Sequence, residues 1–114
     1  MARKAVVTGI GIISSLGDNA KEVLTSLKEC KSGISYSEEY AEKGFRSHVY
    51  GMPKIDLNDA LDRKNKRFMG DGAAYNYLSM EEAITDSGLS EEQVSNERTG
   101  LIMGSGGPST IKRL

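Results

Sequence analysis

Ala5-Val6-Val7-Thr8-Gly9-Ile10-Gly11-Ile12-Ile13 is the stretch on which the reading of the fold turns. It is short, apolar, rich in β-branched residues, and leaves no room for polar alternation. That pattern predicts a strand buried on both faces. Immediately downstream, after Leu16-Gly17, Asn19 with Glu22 three positions on forms a capping-box signature. Ala20, Val23, Leu24 and Leu27 then fall at i, i+3, i+4 and i+7, one apolar stripe of a helix. Lys28 and Lys31 sit where a helix dipole favours cations, and Ser32-Gly33 is the expected stop. Strand, glycine-rich turn and helix in that order predict an α/β protein.

Further along, Ile34 to Pro53 mixes Ser, Tyr, Gly and charged residues, with a short helix expected around Ser37 to Lys43 and a short strand around His48 to Tyr50. Regular pattern returns from Lys66 to Ser87, which predicts one long helix. Its inner stripe would be Met69, Ala73, Tyr77, Met80 and Ile84, and Gly88 its C′ residue. Ser90-Glu91-Glu92-Gln93 is a second capping box, opening a short helix. Thr99-Gly100-Leu101-Ile102-Met103 predicts another buried strand, running into Gly104-Ser105-Gly106-Gly107-Pro108. Two strands of the doubly buried type cannot bury each other's faces as a two-stranded sheet. Residues 1–114 are therefore expected to be the incomplete N-terminal part of a longer domain.

Composition narrows the classes. Fifteen Lys+Arg against sixteen Asp+Glu leave a net charge of -1, without the basic excess of a nucleic-acid binder. One Cys and one His supply neither a disulfide framework nor a structural zinc site. Apolar residues at 38%, together with 13 glycines, match an ordinary globular chain and argue against disorder. Thr8, Gly9 and Gly11 interrupt the only signal-like apolar run, and no run approaches a membrane span. A cytoplasmic, soluble protein without membrane contact is the expectation.

Several residues invite a chemical reading. Gly9-Ile10-Gly11-Ile12-Ile13-Ser14 partly matches a dinucleotide fingerprint, but Ser14 replaces the third glycine. The candidate acid, Glu29, lies on a predicted helix and not at a strand end. Close packing of backbones explains the glycines better. Gly104-Ser105-Gly106-Gly107 lacks the Lys-Ser/Thr ending of a triphosphate loop, so it reads as a backbone loop held close to another chain or to a ligand. Cys30 sits at the C-terminal end of its helix, where the dipole disfavours a thiolate, and is read as incidental. His48 has no partner motif and takes a polar or packing role.

Asp62-Arg63-Lys64-Asn65-Lys66-Arg67 is the most informative local feature, with four cations in five consecutive positions at the expected start of the long helix. A helix N-terminus favours anions, so cations there disfavour the helix by a few tenths of a kcal/mol each, about the scale of a surface dipole contact. An interaction that uses them would explain their presence; a solvated basic turn is the plain alternative. Glu81, Glu82, Asp86, Glu91, Glu92 and Glu97 make the region beyond acidic. A local basic patch on a near-neutral chain suits a small acidic partner.

Taken together, Val6 to Ser14, Lys31-Ser32-Gly33-Ile34 and Leu101-Ile102-Met103-Gly104-Ser105-Gly106-Gly107 resemble the opening of the β-ketoacyl-acyl-carrier-protein synthases. Arg46-Ser47-His48-Val49-Tyr50-Gly51, Asp62-Arg63-Lys64 with Arg67-Phe68-Met69, and Tyr77-Leu78-Ser79-Met80-Glu81 resemble the type I branch. The resemblance implies a thiolase-like αβαβα sandwich, a homodimer, and decarboxylative Claisen condensation of acyl groups with malonyl-acyl carrier protein. No nucleotide, redox cofactor or metal is implied. The family's nucleophilic cysteine lies in a Ser-Ala-Cys-like stretch that this chain does not contain, and its histidines and lysine lie further on. Catalytic residues are thus not expected here, and Cys30 matches a helix-end position that is commonly glycine. By resemblance Arg63, Lys64 and Arg67 match cations that dock the acyl carrier protein; Lys66 adds a charge the pattern does not require. Gly106, Gly107 and Pro108 fall on the loop near the acyl pocket, where type I synthases often carry glycine in place of Pro108. Two classes of function follow: the front of a condensing enzyme, inactive by itself, or a non-catalytic module that binds acyl carrier protein.

Overall fold

The computed structural model describes residues 2–106. Its elements are α1 (Ala20–Lys28), β1 (Ile34–Tyr36), α2 (Glu38–Glu42), β2 (Val49–Gly51), α3 (Leu57–Ala60), α4 (Arg63–Lys66), α5 (Asp71–Ser87) and α6 (Glu91–Val94). Helix and strand are thus mixed, as an α/β reading requires. The chain divides into two units, Ile12–Ile55 and Met1–Gly11 with Asp56–Leu114.

In the first unit, α1 starts as its sequence dictates. The Asn19 side chain accepts the Glu22 N–H at 2.9 Å, and the Glu22 carboxylate accepts the Asp18 N–H at 2.9 Å. The reciprocal arm of the cap therefore reaches one residue further back than a capping box does. Ahead of the helix, Ser14 and Gly17 pair in a tight turn, and Ser26 Oγ donates to the Leu16 carbonyl at 2.7 Å, tying the turn to α1. Of the expected stripe, Val23 is buried whereas Leu24 and Leu27 are exposed.

The helix ends earlier than the Ser32-Gly33 stop predicted for it. Cys30 N–H donates to the Leu27 carbonyl and Lys31 N–H to the Ser26 carbonyl, at 3.2 and 2.9 Å, which is a Schellman motif. Cys30 is its C′ residue, with φ at 54°, the left-handed region. This pairing of carbonyls stops α1 before the chain reaches Ser32.

α2 is capped by Ser37, whose side chain accepts the Tyr40 N–H at 3.1 Å, and it occupies the span expected. Lys43 beside Glu39 one turn away holds the Glu39 carboxyl below its ordinary range, by hydrogen bond first and charge second; Glu39 raises the Lys43 ammonium in return. α2 links the two strands of an antiparallel pair in which Ile34 faces Gly51, Ser35 faces Tyr50 and Tyr36 faces Val49. The strand expected near His48 is present as β2, one residue later, and β1 is its partner within a stretch whose mixed composition carries no strand signal. His48 meets the Tyr36 ring edge-on at 6.0 Å, a packing role.

In the second unit the two strands predicted to be buried are not strands among the described residues. Residues 5–13 and 99–103 lie outside any ladder, and Val7 and Ile102 are 83% and 94% exposed. A strand needs a second strand to exchange N–H and C=O bonds with, and among the described residues no ladder joins either run to one. The glycine reading does hold. Gly9 and Gly11 pass so close to α5 that a Cβ on either would overlap a backbone carbonyl, that of Ala83 or Ser79. Ser79, Ala83 and Ser87 make the small-sided face that permits this approach, and Ile10 N–H donates to Asp86 Oδ2 at 2.9 Å.

The long helix predicted from Lys66 to Ser87 is also corrected. Gly70 is the N-cap of α5, so Arg63–Lys66 forms a separate turn and Met69 lies between the two helices. The inner face shifts with it: Ala74 is buried, whereas Ala73 and Tyr77 are exposed. Close backbone packing selects the small side chains over the large apolar stripe. Gly88 ends α5 with φ at 67°, and Ser90 with Gln93 caps α6 reciprocally, both as expected.

Candidate functional site

The basic run is built on two consecutive helical turns. Asp56 caps α3, its carboxylate accepting the Asn58 N–H at 2.8 Å. Leu57 and Leu61 bracket that turn and are both 6% exposed, so α3 is anchored by its apolar side. Asp62 caps α4 through the Lys64 N–H at 3.4 Å. Bonds from Phe68 N–H to Asn65 O and Met69 N–H to Lys66 O carry the winding on toward Gly70.

This arrangement removes the electrostatic conflict expected from the sequence. The cations do not occupy the first turn of the long helix, because that turn begins at Asp71, an acid matched to the dipole. α4 itself is a single four-residue turn, so Arg63, Lys64 and Lys66 belong to its first and last turn alike and its dipole gives them no net preference.

Arg63, Lys66 and Arg67 line a hollow of about 590 Å³ together with Asn58, Asp59 and Leu61. Lys64 is not part of its lining. The four cations differ in their partners. Lys66 Nζ donates to Asn58 Oδ1 at 2.9 Å. The Arg67 guanidinium lies over the Phe68 ring at 5.4 Å from its centroid, and that ring is 78% exposed. Among the described residues, Arg63 and Lys64 have no side-chain hydrogen bond or ion pair, which leaves them available to a partner. The surface thus combines available cations with one exposed aromatic ring, a composition suited to an acidic protein surface with an apolar centre.

Phe68 and Asn58 were not singled out as site residues in the sequence. Phe68 adjoins the basic run and could have been read as its apolar complement. Asn58 carries no such signal, since only the packing of α3 beside α4 brings it to Lys66.

The other sequence candidates fare differently. Gly106 is exposed and does not line the hollow, while Gly107 and Pro108 of the expected acyl-pocket loop lie outside the described residues. Cys30 is exposed at the Schellman turn, flanked by a Glu29–Lys31 ion pair. Among the described residues no group of His, Cys, Asp and Glu side chains is placed to hold a metal ion, and no helix is long and apolar enough to cross a membrane.

Comparison with known proteins decides the family. The family model described as the N-terminal domain of β-ketoacyl synthase matches residues 2–113. The chain belongs to the β-ketoacyl synthase family. Among curated relatives it is 56% identical to the 3-oxoacyl-(acyl-carrier-protein) synthase 1 of Haemophilus influenzae, over 98% of this chain and 28% of that protein. It is 54% identical to the Escherichia coli synthase 1 over 94% of this chain and 27% of the relative. Similarity to the Vibrio harveyi synthase 2 is lower, at 30% over 91% of the chain. The order of these identities agrees with the resemblance to type I. The chain spans about a quarter of the synthase 1 relatives' length, with 28% and 27% of each covered.

Proposed function

We propose that this chain is the front portion of a type I β-ketoacyl-acyl-carrier-protein synthase and supplies part of the surface on which the carrier protein docks. The observation that carries the reading is the match to synthase 1 proteins along 98% of the chain, joined to a turn that leaves Arg63 and Lys64 available. In such an enzyme a cysteine thiolate attacks the acyl thioester and the carrier's thiolate leaves. Loss of CO2 from malonyl-carrier protein then generates an enolate that attacks the enzyme thioester and releases the cysteine. That cysteine and the histidines that stabilise developing charge belong to segments other than residues 1–114.

The division of labour follows from chemistry. A carrier protein delivers its acyl group on a tether, so recognition works on the carrier's body, away from the reacting carbon. Cations on short, exposed turns attract an acidic body over about a Debye length, close to 10 Å at 0.1 M salt, and speed encounter. The available Arg63 and Lys64 serve this role first, Arg67 beside Phe68 next. Gly106, Gly107 and Pro108 are assigned to a loop near the acyl pocket. Homodimerisation, a cytoplasmic location and a thiolase-like αβαβα sandwich complete the reading. The uncovered Val7 and Ile102 support taking residues 1–114 as an incomplete part of that sandwich.

The test uses a full-length synthase bearing this sequence at its N-terminus. Replacing Arg63→Glu and Lys64→Glu together is expected to weaken acyl-carrier-protein binding by more than about tenfold at low salt, since two attractive charges become repulsive. The difference from wild type should shrink as salt is raised. Calorimetry showing equal affinity at low salt would remove the docking assignment.

A further inference from the structure

The four cations of the basic turn are not equivalent, and the difference has a functional meaning. Arg63, Lys64 and Arg67 are exposed, whereas Lys66 is half-buried. Its ammonium is held by Asn58 Oδ1 on the neighbouring turn, eight residues earlier in the chain. Asn58 is itself fixed, because its N–H is bound by the Asp56 cap and its neighbour Leu57 is buried. α4 needs such an external hold. A single helical turn does not persist alone, and Arg63–Lys66 and Arg63–Arg67 place like charges at the helical spacings where they repel. The Asp62 cap holds the front of α4; the Lys66–Asn58 bond holds its back.

Resting on the docking reading above, we infer that Lys66 is a positioning residue. Clamped by Asn58, it fixes α4 beside α3 so that Arg63 and Lys64 are presented in a set orientation to an acidic carrier. Lys66 acts through that orientation and not as a contact charge. One of the three N–H groups of the Lys66 ammonium is given to the Asn58 amide oxygen, which ties the charge to α3 and limits how far it can reach toward a partner. The basic turn then has two parts: a clamp of Lys66 with Asn58, and a contact face of Arg63 and Lys64.

The experiment compares Asn58→Leu, Lys66→Met and their double variant with Lys64→Met, in a full-length synthase bearing this sequence and with acyl carrier protein as the probe. Asn58→Leu leaves every charge in place, yet it is expected to weaken binding about threefold, the scale of one exposed hydrogen bond. Lys66→Met should do the same, and the double variant should be no weaker than either single one, because both remove the same clamp. Lys66→Met should also keep most of the wild-type salt dependence, whereas Lys64→Met should lose a clear part of it. Amide exchange at Asn65 and Lys66 should quicken in Asn58→Leu. Full affinity in Asn58→Leu, or a Lys66→Met variant that flattens the salt dependence as Lys64→Met does, would overturn the inference while the docking reading stands. Unchanged binding on reversal of Arg63 and Lys64 would instead overturn the docking reading, and the inference with it.

Discussion

α1 and α2 finish in the same way and with unequal means. Both end in a Schellman motif: Cys30 N–H to Leu27 O with Lys31 N–H to Ser26 O in α1, and Gly44 N–H to Ala41 O with Phe45 N–H to Tyr40 O in α2. In α2 the left-handed position is filled by Gly44, with φ at 68° and nothing within 4 Å of where a Cβ would sit. The next residue, Phe45, packs its ring against Tyr40 at 5.2 Å, the apolar contact that commonly closes this motif. In α1 the left-handed position carries Cys30, which has a Cβ, and the residues at the positions of Phe45 and Tyr40 are the polar Lys31 and Ser26. One end is closed by an apolar contact, and the other by backbone bonds and the exposed Glu29–Lys31 ion pair. The hydrogen bonds set where a helix stops, and side chains decide how firmly.

Three substitutions bear on that contrast, all read by urea denaturation of a full-length synthase bearing this sequence. Phe45→Ala should destabilise most, by about 1.5 kcal/mol, the upper range of an aromatic pair beyond its buried area. A loss no larger than that of an ordinary surface change would mean the ring contact adds nothing to the motif. Gly44→Ala should cost about 1 kcal/mol, because a Cβ in the left-handed region meets the following carbonyl. The open space around Gly44 makes this a measure of backbone strain alone. Cys30→Gly should act in the opposite sense and stabilise by about 0.5 kcal/mol, the strain relieved less the entropy glycine adds to the unfolded chain. If Cys30→Gly destabilises, the side chain contributes something at that turn which outweighs its strain.

The same contrast explains which parts of the fold could be read in the sequence. Features decided within one turn were legible: Asn19 opening α1, Ser37 opening α2, Ser90 with Gln93 opening α6, Gly88 closing α5. Each rests on one side chain and N–H groups two or three residues away, so neighbouring letters suffice. Features that depend on a distant partner were not. Val6 and Val7 have strand-forming side chains, but a strand exists only where another backbone accepts its bonds. The apolar pattern continues on both sides of Gly70, so it runs past the point where α5 begins. The glycine pair was signalled by sequence, yet the helix it packs on lies some seventy residues away, as the Ile10–Asp86 bond shows with its separation of 76. At the candidate site the charges were visible in the run from Arg63 to Arg67, and their separation into held and available groups required Asn58.

The Ile10–Asp86 bond also bears on synthesis. Its two ends are 76 residues apart, so at about 5–20 residues per second the stretch around Ile10 is made about 4–15 s before Asp86, and it emerges from the ribosome ahead of Asp86 by the same interval. Throughout that interval a β-branched, uncharged, proline-free segment has no helix face to lie on, and such segments are the ones that pair with copies of themselves. Burden on chaperones during translation should therefore fall on this stretch. Arg3 and Lys4 stand just before it, and like charges flanking such a segment oppose its self-pairing.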